Sequence, residues 1–310
     1  MERDVADTES SRACITDYAR LLITERDPLK AFARYFSPGL IQHDPDIGDG
    51  HHGDEEFLEA RRLGDPDAFL PTDRYATIMH SILADGDLVC LKSHVFISHD
   101  DPGRVFVDIW RIEEGRFAEH WSAIETIPAR SPNPVPMWCG VGADYADALA
   151  AGDTVSAPVM GAVGDAALRE ASLATVRAYL DMIADPARVA QAVKTWMADD
   201  FVEYSPRLGQ GRQALIDHLT ACAGRGESFT EARFMADGDL VLFHGRAMTP
   251  EHELGYSQMH LFRVADGRIN AHWGVRQAIP TYSVAGRCMV EGPLEPGRVA
   301  GPPLEPVAHR

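Results

Sequence analysis

The sequence has few cysteines, few positive charges and no long apolar run. Its 310 residues include five cysteines, and none forms a Cys-x-x-Cys pair. This pattern predicts reduced thiols in a cytoplasmic protein and argues against a disulfide framework or a structural zinc site. Lysine and arginine total 29 against 47 aspartates and glutamates, so the net charge is −18. Such a chain is a poor binder of nucleic acid or anionic membranes, and no apolar run reaches the roughly 18 residues of a membrane span.

Several catalytic signatures are also missing. The sequence has no Gly-x-Ser-x-Gly motif and no glycine-rich phosphate loop, which argues against a serine nucleophile and against a nucleotide cofactor. Its amino terminus lacks the shape of a signal peptide. Hydrophobic residues make up 45% and charged residues 25%, the profile of a soluble globular protein.

The chain repeats itself once. The segment Ala84–Val89 recurs letter for letter as Ala236–Val241, at an offset of 152 residues. The same offset relates the two His-Trp pairs, His120-Trp121 and His272-Trp273. Upstream, His43-Asp44-Pro45 matches Tyr204-Ser205-Pro206 at an offset of 161. Two copies indicate a duplicated domain, since a solenoid needs about three or more repeats.

The repeat sets the domain boundaries. We expect a first domain over residues 10–130 and a second over 165–283. A linker rich in proline, glycine and alanine occupies 131–164, and a tail rich in proline and glycine occupies 284–310. Within each copy, helical periodicity comes first and strand patterns follow. Asp27-Pro28 and Asp185-Pro186 each predict a helix start, with aspartate as the cap and proline at the first helical position.

A turn predicts how the last two strands of each copy pair. If Glu113, Glu114 and Gly115 form a three-residue hairpin loop, the residues facing each other across the strands follow directly. The expected pairs are Asp108 with His120, Trp110 with Ala118, Phe106 with Ser122 and, in the second copy, His260 with His272.

These motifs resemble those of the SnoaL-like polyketide cyclase group, in the nuclear transport factor 2-like superfamily. The resemblance rests on Ile41-Gln42-His43-Asp44-Pro45, on Asp108-Ile109-Trp110-Arg111 with His120-Trp121, and on Phe262-Arg263 with His272-Trp273. It implies an α+β fold of two cone-shaped domains, each with N-terminal helices packed on a curved antiparallel sheet. It also implies that the two domains pair as an intrachain pseudo-dimer. Cyclase-like members commonly carry a catalytic aspartate after the His-Trp pair, whereas this chain has Ser122 and Gly274 there.

In the first copy, the best catalytic candidates are Asp108 and His120, joined by His43. A carboxylate can hold a facing imidazole in one tautomer and tune it near neutral pH. The expected substrate-binding residues on the same face are Trp110, Phe106 and Ser122. Lys92 and His94, on a nearby strand, are expected to supply a positive charge to the substrate.

In the second copy, His260 and His272 are the catalytic candidates. Two facing imidazoles cannot both be charged cheaply, so one is expected to stay neutral and act as a base. Tyr204, His244, Arg246 and Phe262 are the expected substrate-binding residues.

A metal site is the weaker alternative. His94, Asp108 and His120 would form a two-histidine, one-carboxylate set. The close-spaced ligand motifs typical of metal sites are absent, so we expect no metal and no cofactor.

The sequence therefore predicts a cytoplasmic, cofactor-independent enzyme that performs acid–base chemistry on a small, largely apolar, oxygenated substrate. Cyclisation, isomerisation, dehydration and aldol-type chemistry all suit one enclosed pocket. The alternative is a non-catalytic protein of the same fold that binds a small molecule. A protein-interaction module is a weaker third class, because buried ionisable residues are costly without a use. Further association of chains stays open, and the expected partner is a small-molecule substrate.

Overall fold

A computed structural model describes residues 8–53, 76–96, 103–135, 137, 162 and 165–296. Most of the predicted linker 131–164 and the tail beyond residue 296 lie outside the described residues. The described chain forms two compact units. The first contains the described parts of Met1–Thr126 and Pro280–Arg310, and the second those of Ile127–Gly140 and Ala162–Ile279.

The first unit places two α-helices before a five-stranded sheet. Its elements are α1 (Thr8–Ala19), a π-helical turn (Arg20–Thr24), α2 (Pro28–Tyr35), β1 (Phe36–Gln42), β2 (Ala76–Asp85), β3 (Leu88–Phe96), β4 (Arg104–Glu113) and β5 (Arg116–Thr126). The strand order is β1-β5-β4-β3-β2. Strand β1 runs parallel to β5, so the sheet is mixed, whereas the resemblance implied an antiparallel one. Strands β1 and β2 are the two edge strands of this sheet.

The second unit repeats this order, and a helix follows its first strand. Its elements are α3 (Ala166–Ile183), a 3₁₀ turn (Pro186–Arg188), α4 (Val189–Trp196), β6 (Met197–Glu203), α5 (Gly211–Gly224), β7 (Ser228–Asp237), β8 (Leu240–Thr249), β9 (His252–Ala265) and β10 (Arg268–Ala278). The strand order is β6-β10-β9-β8-β7, again with one parallel edge pair. Two short strands, β11 (Tyr282–Ser283) and β12 (Glu295–Pro296), follow in the first unit. None of the helices in the described ranges is long and apolar enough to cross a membrane.

Both predicted helix starts are confirmed. The Asp27 carboxylate accepts a hydrogen bond from the Lys30 backbone N–H at 3.0 Å. The Asp185 carboxylate accepts one from the Ala187 backbone N–H, also at 3.0 Å. Each cap satisfies a backbone donor that the first helical turn leaves unpaired. In the second unit the capped turn is 3₁₀ and leads directly into α4.

The predicted register of the β4–β5 hairpin is wrong. Glu113 pairs with Arg116, so the loop contains only Glu114 and Gly115. Their φ angles of 51° and 73° are both positive, as in a two-residue type I′ turn. Further along, β5 has one extra residue, Ala118, which forms a bulge.

The bulge and the shorter loop together shift the pairing by two residues. Trp110 therefore faces His120, Asp108 faces Ser122, and Phe106 faces Ile124. In β9 and β10, with the equivalent turn and bulge, Phe262 faces His272 and His260 faces Gly274. Because successive side chains of a strand alternate between faces, a shift of two leaves the residues beyond the bulge on their predicted faces. Asp108 and His120 thus remain diagonal neighbours.

The interior of the first unit is filled by aromatic rings. Tyr18 lies at the centre of this aromatic cluster, with ring centroids 5.7 Å from Phe36, 5.3 Å from Trp110 and 5.0 Å from Phe117. All four side chains are buried. Close packing of this kind leaves little room for a ligand.

The second unit has smaller side chains at the same positions. Tyr179 corresponds to Tyr18, but the other three members of the aromatic cluster are replaced by Met197, Phe262 and Ile269. Replacing larger rings by smaller side chains leaves space in the interior. The two copies therefore share a fold and differ in side-chain size at these core positions.

The segments that follow each sheet are also ordered. In the second unit, the Asn133 side-chain amide donates to the backbone carbonyls of Glu203 and Ser205, at 2.8 and 3.0 Å. In the first unit, His43 Nδ1 donates to the Cys288 carbonyl at 2.8 Å. The Arg287 guanidinium also donates to the Asp49 carboxylate, at 2.7 Å.

Candidate functional site

The second unit contains a hydrogen-bonded chain of one carboxylate and two imidazoles. Glu203 ends β6, and its position beside His272 follows from the parallel pairing of β6 with β10. His272 Nδ1 lies 2.9 Å from both oxygens of the Glu203 carboxylate. His272 Nε2 lies 2.8 Å from His260 Nδ1, and His260 Nε2 lies 2.8 Å from Gln258 Oε1. Every nitrogen of both rings therefore has a partner.

These partners determine where the protons lie. Gln258 Oε1 can only accept, so His260 carries its proton on Nε2 and presents the lone pair of Nδ1 to His272. His272 Nε2 then donates to that lone pair, and His272 Nδ1 faces the Glu203 carboxylate. Burial lowers the pKa of His260 well below its ordinary value, and the nearby charges of His272 and Arg207 lower it further. The result is a neutral imidazole backed by His272 and Glu203.

A cavity of about 620 Å³ opens beside this chain, and both histidines line it. A narrower apolar recess of about 120 Å³ continues inward between Tyr179, Met197 and Phe262. Helix α5 forms another wall, through His218 and other residues. The part of the first copy at the same place in the chain, residues 54–75, lies outside the described residues.

His218 lies on the cavity wall formed by α5. Its Nε2 is 3.4 Å from the Cys222 sulfur, one helical turn away. Burial and the charge of Arg207 lower the pKa of His218. Burial also raises the pKa of the Cys222 thiol to about 11. The cavity therefore has a second neutral imidazole and a thiol that stays protonated.

The first unit has a related hydrogen-bonded chain, formed by Gln42, His120 and Asp108, in which the carboxylate is at the opposite end. His120 Nδ1 donates to Gln42 Oε1 at 2.7 Å, and His120 Nε2 lies 3.2 Å from Asp108 Oδ1. Gln42 Oε1 also accepts from the Asp44 backbone N–H at 3.3 Å, which fixes the orientation of the amide. The His120 ring stacks on Trp110 with centroids 4.9 Å apart. The carboxylate partner is on the Asp108 side here, whereas in the second unit it is on the Glu203 side.

Asp44 brings a second carboxyl group close to the Asp108–His120 pair, which we call the dyad. Its side chain is 5% exposed and accepts from the Asp46 backbone N–H at 2.9 Å. Burial, reinforced by the charge of Asp46, raises the pKa of Asp44 to about 6. The first site is therefore acidic, with two carboxyl groups around one imidazole.

Three of the predicted first-copy residues lie away from this dyad. Lys92 and His94 alternate with the residues of β3 that face Asp108, so they point to the other face of the sheet. Burial lowers the pKa of Lys92 to about 7. His43 also lies on that face, where it contacts Glu119 at 3.0 Å and stacks on Trp121. His43, Lys92 and His94 therefore do not join the Asp108–His120 pair. The alternative metal set of His94, Asp108 and His120 is not brought together either.

The remaining first-copy residues do share the face of the dyad. Phe106, Trp110 and Ser122 belong to it by strand alternation, and Ser122 pairs directly with Asp108.

The predicted substrate-binding residues of the second copy also lie on two different faces of the sheet. Phe262 lies beside the histidine pair and stacks on His272 with centroids 4.8 Å apart. Tyr204 stacks instead on Trp273, on the other face of the sheet. His244 also belongs to that face and contacts Ser257 Oγ at 3.0 Å. Arg246 lies on that face too and donates to the Leu254 carbonyl at 2.8 Å. Those three residues are outside the cavity that His260 and His272 line.

Sequence analysis missed the residues that complete both chains: Gln42, Asp44, Glu203, Ser205, Arg207, His218 and Gln258. The repeat contained a signal for the first four. The offset that relates His43 to Tyr204 also aligns Gln42 with Glu203 and Asp44 with Ser205. The same offset aligns Asp46 with Arg207, and the offset of 152 aligns Phe106 with Gln258. For His218 no comparable signal exists, because α5 has no counterpart within the described first copy.

Comparison with known proteins identifies the repeat. The SnoaL-like domain family model matches residues 15–120 and again residues 176–272. No curated protein matches the chain.

Among solved structures, a nuclear transport factor 2-like protein of unknown function from Mesorhizobium loti shares 22% identity, at a TM-score of 0.32. The match covers 38% of this chain and 100% of that one. An LEH-like epoxide hydrolase from M. tuberculosis shares 21% identity, at a TM-score of 0.30, over 35% of this chain and 84% of its own. Similarities this low bear on neither activity nor substrate. The two matches to the family model cover more than half of the sequence, and the chain belongs to the SnoaL-like domain family, whose domain it carries twice.

Proposed function

We propose that the second unit is a cofactor-independent acid–base enzyme that acts on a small, largely apolar, oxygenated substrate, with His260 as the proton-transferring residue. The observation that carries the proposal is the neutral His260 ring at the wall of a 620 Å³ cavity, backed at 2.8 Å by His272. An imidazole with a lowered pKa at a cavity wall is a characteristic feature of proton-transfer sites.

The hydrogen-bonded chain supplies a balanced proton transfer. His260 Nε2 donates its proton to a substrate carbonyl oxygen, and His272 passes its Nε2 proton to His260 Nδ1. His272 begins this step as an imidazolium and becomes neutral. It keeps its Nδ1 proton, which is hydrogen-bonded to the Glu203 carboxylate. The freed His260 Nε2 then accepts a proton from the carbon next to the carbonyl, and the chain returns to its first state. The net change is enolisation, the first step of isomerisation, cyclisation and aldol chemistry.

The experiment measures proton exchange at carbon. The full chain is incubated in D₂O with a panel of aryl ketones, cyclic enones and 1,3-dicarbonyl compounds, and loss of the α-proton signal is followed by ¹H NMR. We expect exchange of at least one class of compound, and a loss of about a hundredfold in His260→Gln. Exchange that is unchanged in His260→Gln contradicts the proposal.

The alternative function is binding without catalysis. Two observations favour it. The first is that His260 Nε2 already has Gln258 as a partner, so a substrate must displace that amide. A second is that positions 122 and 274 carry serine and glycine, neither of which transfers a proton at neutral pH. Saturable binding of a panel compound without exchange or other turnover would favour this alternative.

A further inference from the structure

We propose that the cavity of the second unit binds a carboxylate-bearing substrate, with its apolar body in the inner recess and its carboxylate beside Arg207, Arg276 and Ser205. This inference rests on the same cavity as the proposed function and adds the chemical class of the ligand.

The inner recess suits an apolar group. Tyr179, Met197, Phe243 and Phe262 line about 120 Å³ of space there. At two of these positions the first copy has a larger ring: Phe36 corresponds to Met197, and Trp110 corresponds to Phe262. The smaller side chains at these two positions leave space for the recess in the second copy.

The wider part of the cavity is lined by cations in a chain whose net charge is −18. Arg225 is paired with Glu227 at 2.7 Å, so its charge is compensated. Arg276 stacks over the Tyr256 ring, with its guanidinium carbon 4.5 Å from the centroid. A guanidinium is planar and matches the geometry of a carboxylate.

Arg207 lies closer to the histidine chain. Its guanidinium contacts the Gly274 carbonyl at 3.4 Å, and its charge lowers the pKa of His260. A substrate carboxylate here would sit within the field of Arg207 while its neighbouring carbon faces the imidazole. Glu251 also lines the cavity but is exposed at its rim.

A buried hydroxyl lies at the same place without a partner. Ser205 is 1% exposed, and its Oγ has no hydrogen-bond partner among the described residues. It lies 3.4 Å from the position that a Cβ of residue 274 would take. Because residue 274 is glycine, the space in front of this hydroxyl stays open. An unpaired buried hydroxyl is costly, and a ligand oxygen would satisfy it.

The two copies differ in charge at the positions around this point. The pairing of β5 with β4 and of β10 with β9, and the matching turns after β1 and β6, align the residues of the two copies. From the first copy to the second, the changes are Asp44 to Ser205, Asp46 to Arg207, Asp108 to His260 and Ile124 to Arg276. Three carboxyl groups are lost, two guanidinium groups are gained, and one carboxyl group is gained where Gln42 corresponds to Glu203. The same fold therefore carries an acidic site in one unit and a site suited to an anion in the other.

The experiment compares carboxylic acids with their uncharged amides. Binding of phenylacetate, 3-phenylpropionate, 4-phenylbutyrate and hexanoate, and of the four corresponding primary amides, is measured by isothermal titration calorimetry on the full chain at low salt. We expect at least one acid to bind about tenfold or more tightly than its amide, because only the acid forms charge-assisted hydrogen bonds. The preference should fall to about twofold in Arg276→Ile, which introduces the residue of the first copy, and in Arg207→Gln.

Arg268→Gln is the matched control. Arg268 is exposed beside the Asp266–Gly267 turn, away from the cavity, so the acid preference should persist in this variant. Circular dichroism checks that each variant is folded. Equal affinities for acid and amide, a preference for amides, or no binding of any acid at about 10 mM overturns the inference.

The inference and the proposed function fail separately. In His260→Gln the acid preference should persist while proton exchange is lost. A preference that persists together with undiminished exchange in His260→Gln refutes the catalytic role and leaves the binding class standing. Exchange that depends on His260 without any acid preference refutes the binding class alone.

Discussion

Glu203→Gln is the most informative single substitution, because the first copy already carries glutamine at that position. Glu203 Oε1 accepts from the Ser205 N–H at 2.7 Å and from His272 Nδ1 at 2.9 Å. Gln42 Oε1 accepts from the equivalent two donors. A glutamine at residue 203 therefore keeps both hydrogen bonds and removes only the negative charge.

The expected cost follows from that difference. Hydrogen bonds to charged groups contribute about 1.5–3 kcal/mol and neutral ones about 0.5–1.5 kcal/mol, so the free energy of unfolding should fall by about 1–2 kcal/mol. Glu203→Ala instead leaves a buried imidazolium without its counter-charge and should cost about 3–5 kcal/mol. Urea unfolding at neutral pH measures both values.

The same substitution should disable proton transfer. Without the carboxylate, His272 is no longer held as an imidazolium and cannot return a proton to His260. We expect α-proton exchange to fall by about a hundredfold, and the ¹⁵N signals of the His272 ring to change from those of an imidazolium to those of a neutral ring. Unchanged exchange and unchanged ¹⁵N signals in Glu203→Gln would refute this reasoning, as would a loss of stability equal to that of Glu203→Ala.

Three further predictions concern the recess, helix α5 and the buried lysine. Met197→Phe introduces the first-copy residue into the inner recess and should weaken binding of 4-phenylbutyrate by about tenfold in calorimetry, at an overpacking cost of about 1–3 kcal/mol; unchanged affinity would show that the recess is not used. His218→Gln removes the second neutral imidazole of the cavity and should lower the exchange rate by about tenfold, whereas an unchanged rate would limit His218 to a wall residue. Lys92 has its pKa lowered to about 7, so the folded state binds fewer protons than the unfolded state between about pH 7 and 10.5, and stability should rise with pH across that window. Lys92→Met should remove this rise and stabilise the protein at neutral pH by up to about 5 kcal/mol, measured by denaturant unfolding across that pH range; a variant with the wild-type pH dependence would contradict the assignment.

Much of the fold could be predicted from sequence because the signals are local and occur twice. The Asp-Pro helix starts are fixed by capping chemistry within one turn of chain. The placement of Asp108 beside His120 survived a wrong register, because the error was an even number of residues. The loop length and the bulges at Ala118 and Asn270 were not predicted, because they depend on the curvature of the whole sheet.

The face of β3 was predicted poorly for a different physical reason. Lys92 and His94 are buried, so polarity did not distinguish the two faces of the strand. The partners in the hydrogen-bonded chains come from β1 and β6, which pair in parallel with strands far away in sequence. Such pairings leave no local pattern. The cavity itself depends on α5 and on small differences in side-chain size, which appear only when the two copies are superposed position by position.

The most direct test of the central claim compares two variants in one assay. His260→Gln and Asp108→Asn alter equivalent positions in the two copies, and α-proton exchange is measured for both against the full wild-type chain. We expect His260→Gln to lose about a hundredfold in rate and Asp108→Asn to stay within about threefold of wild type. Loss of exchange in Asp108→Asn with activity retained in His260→Gln would place the chemistry in the first unit and contradict the account.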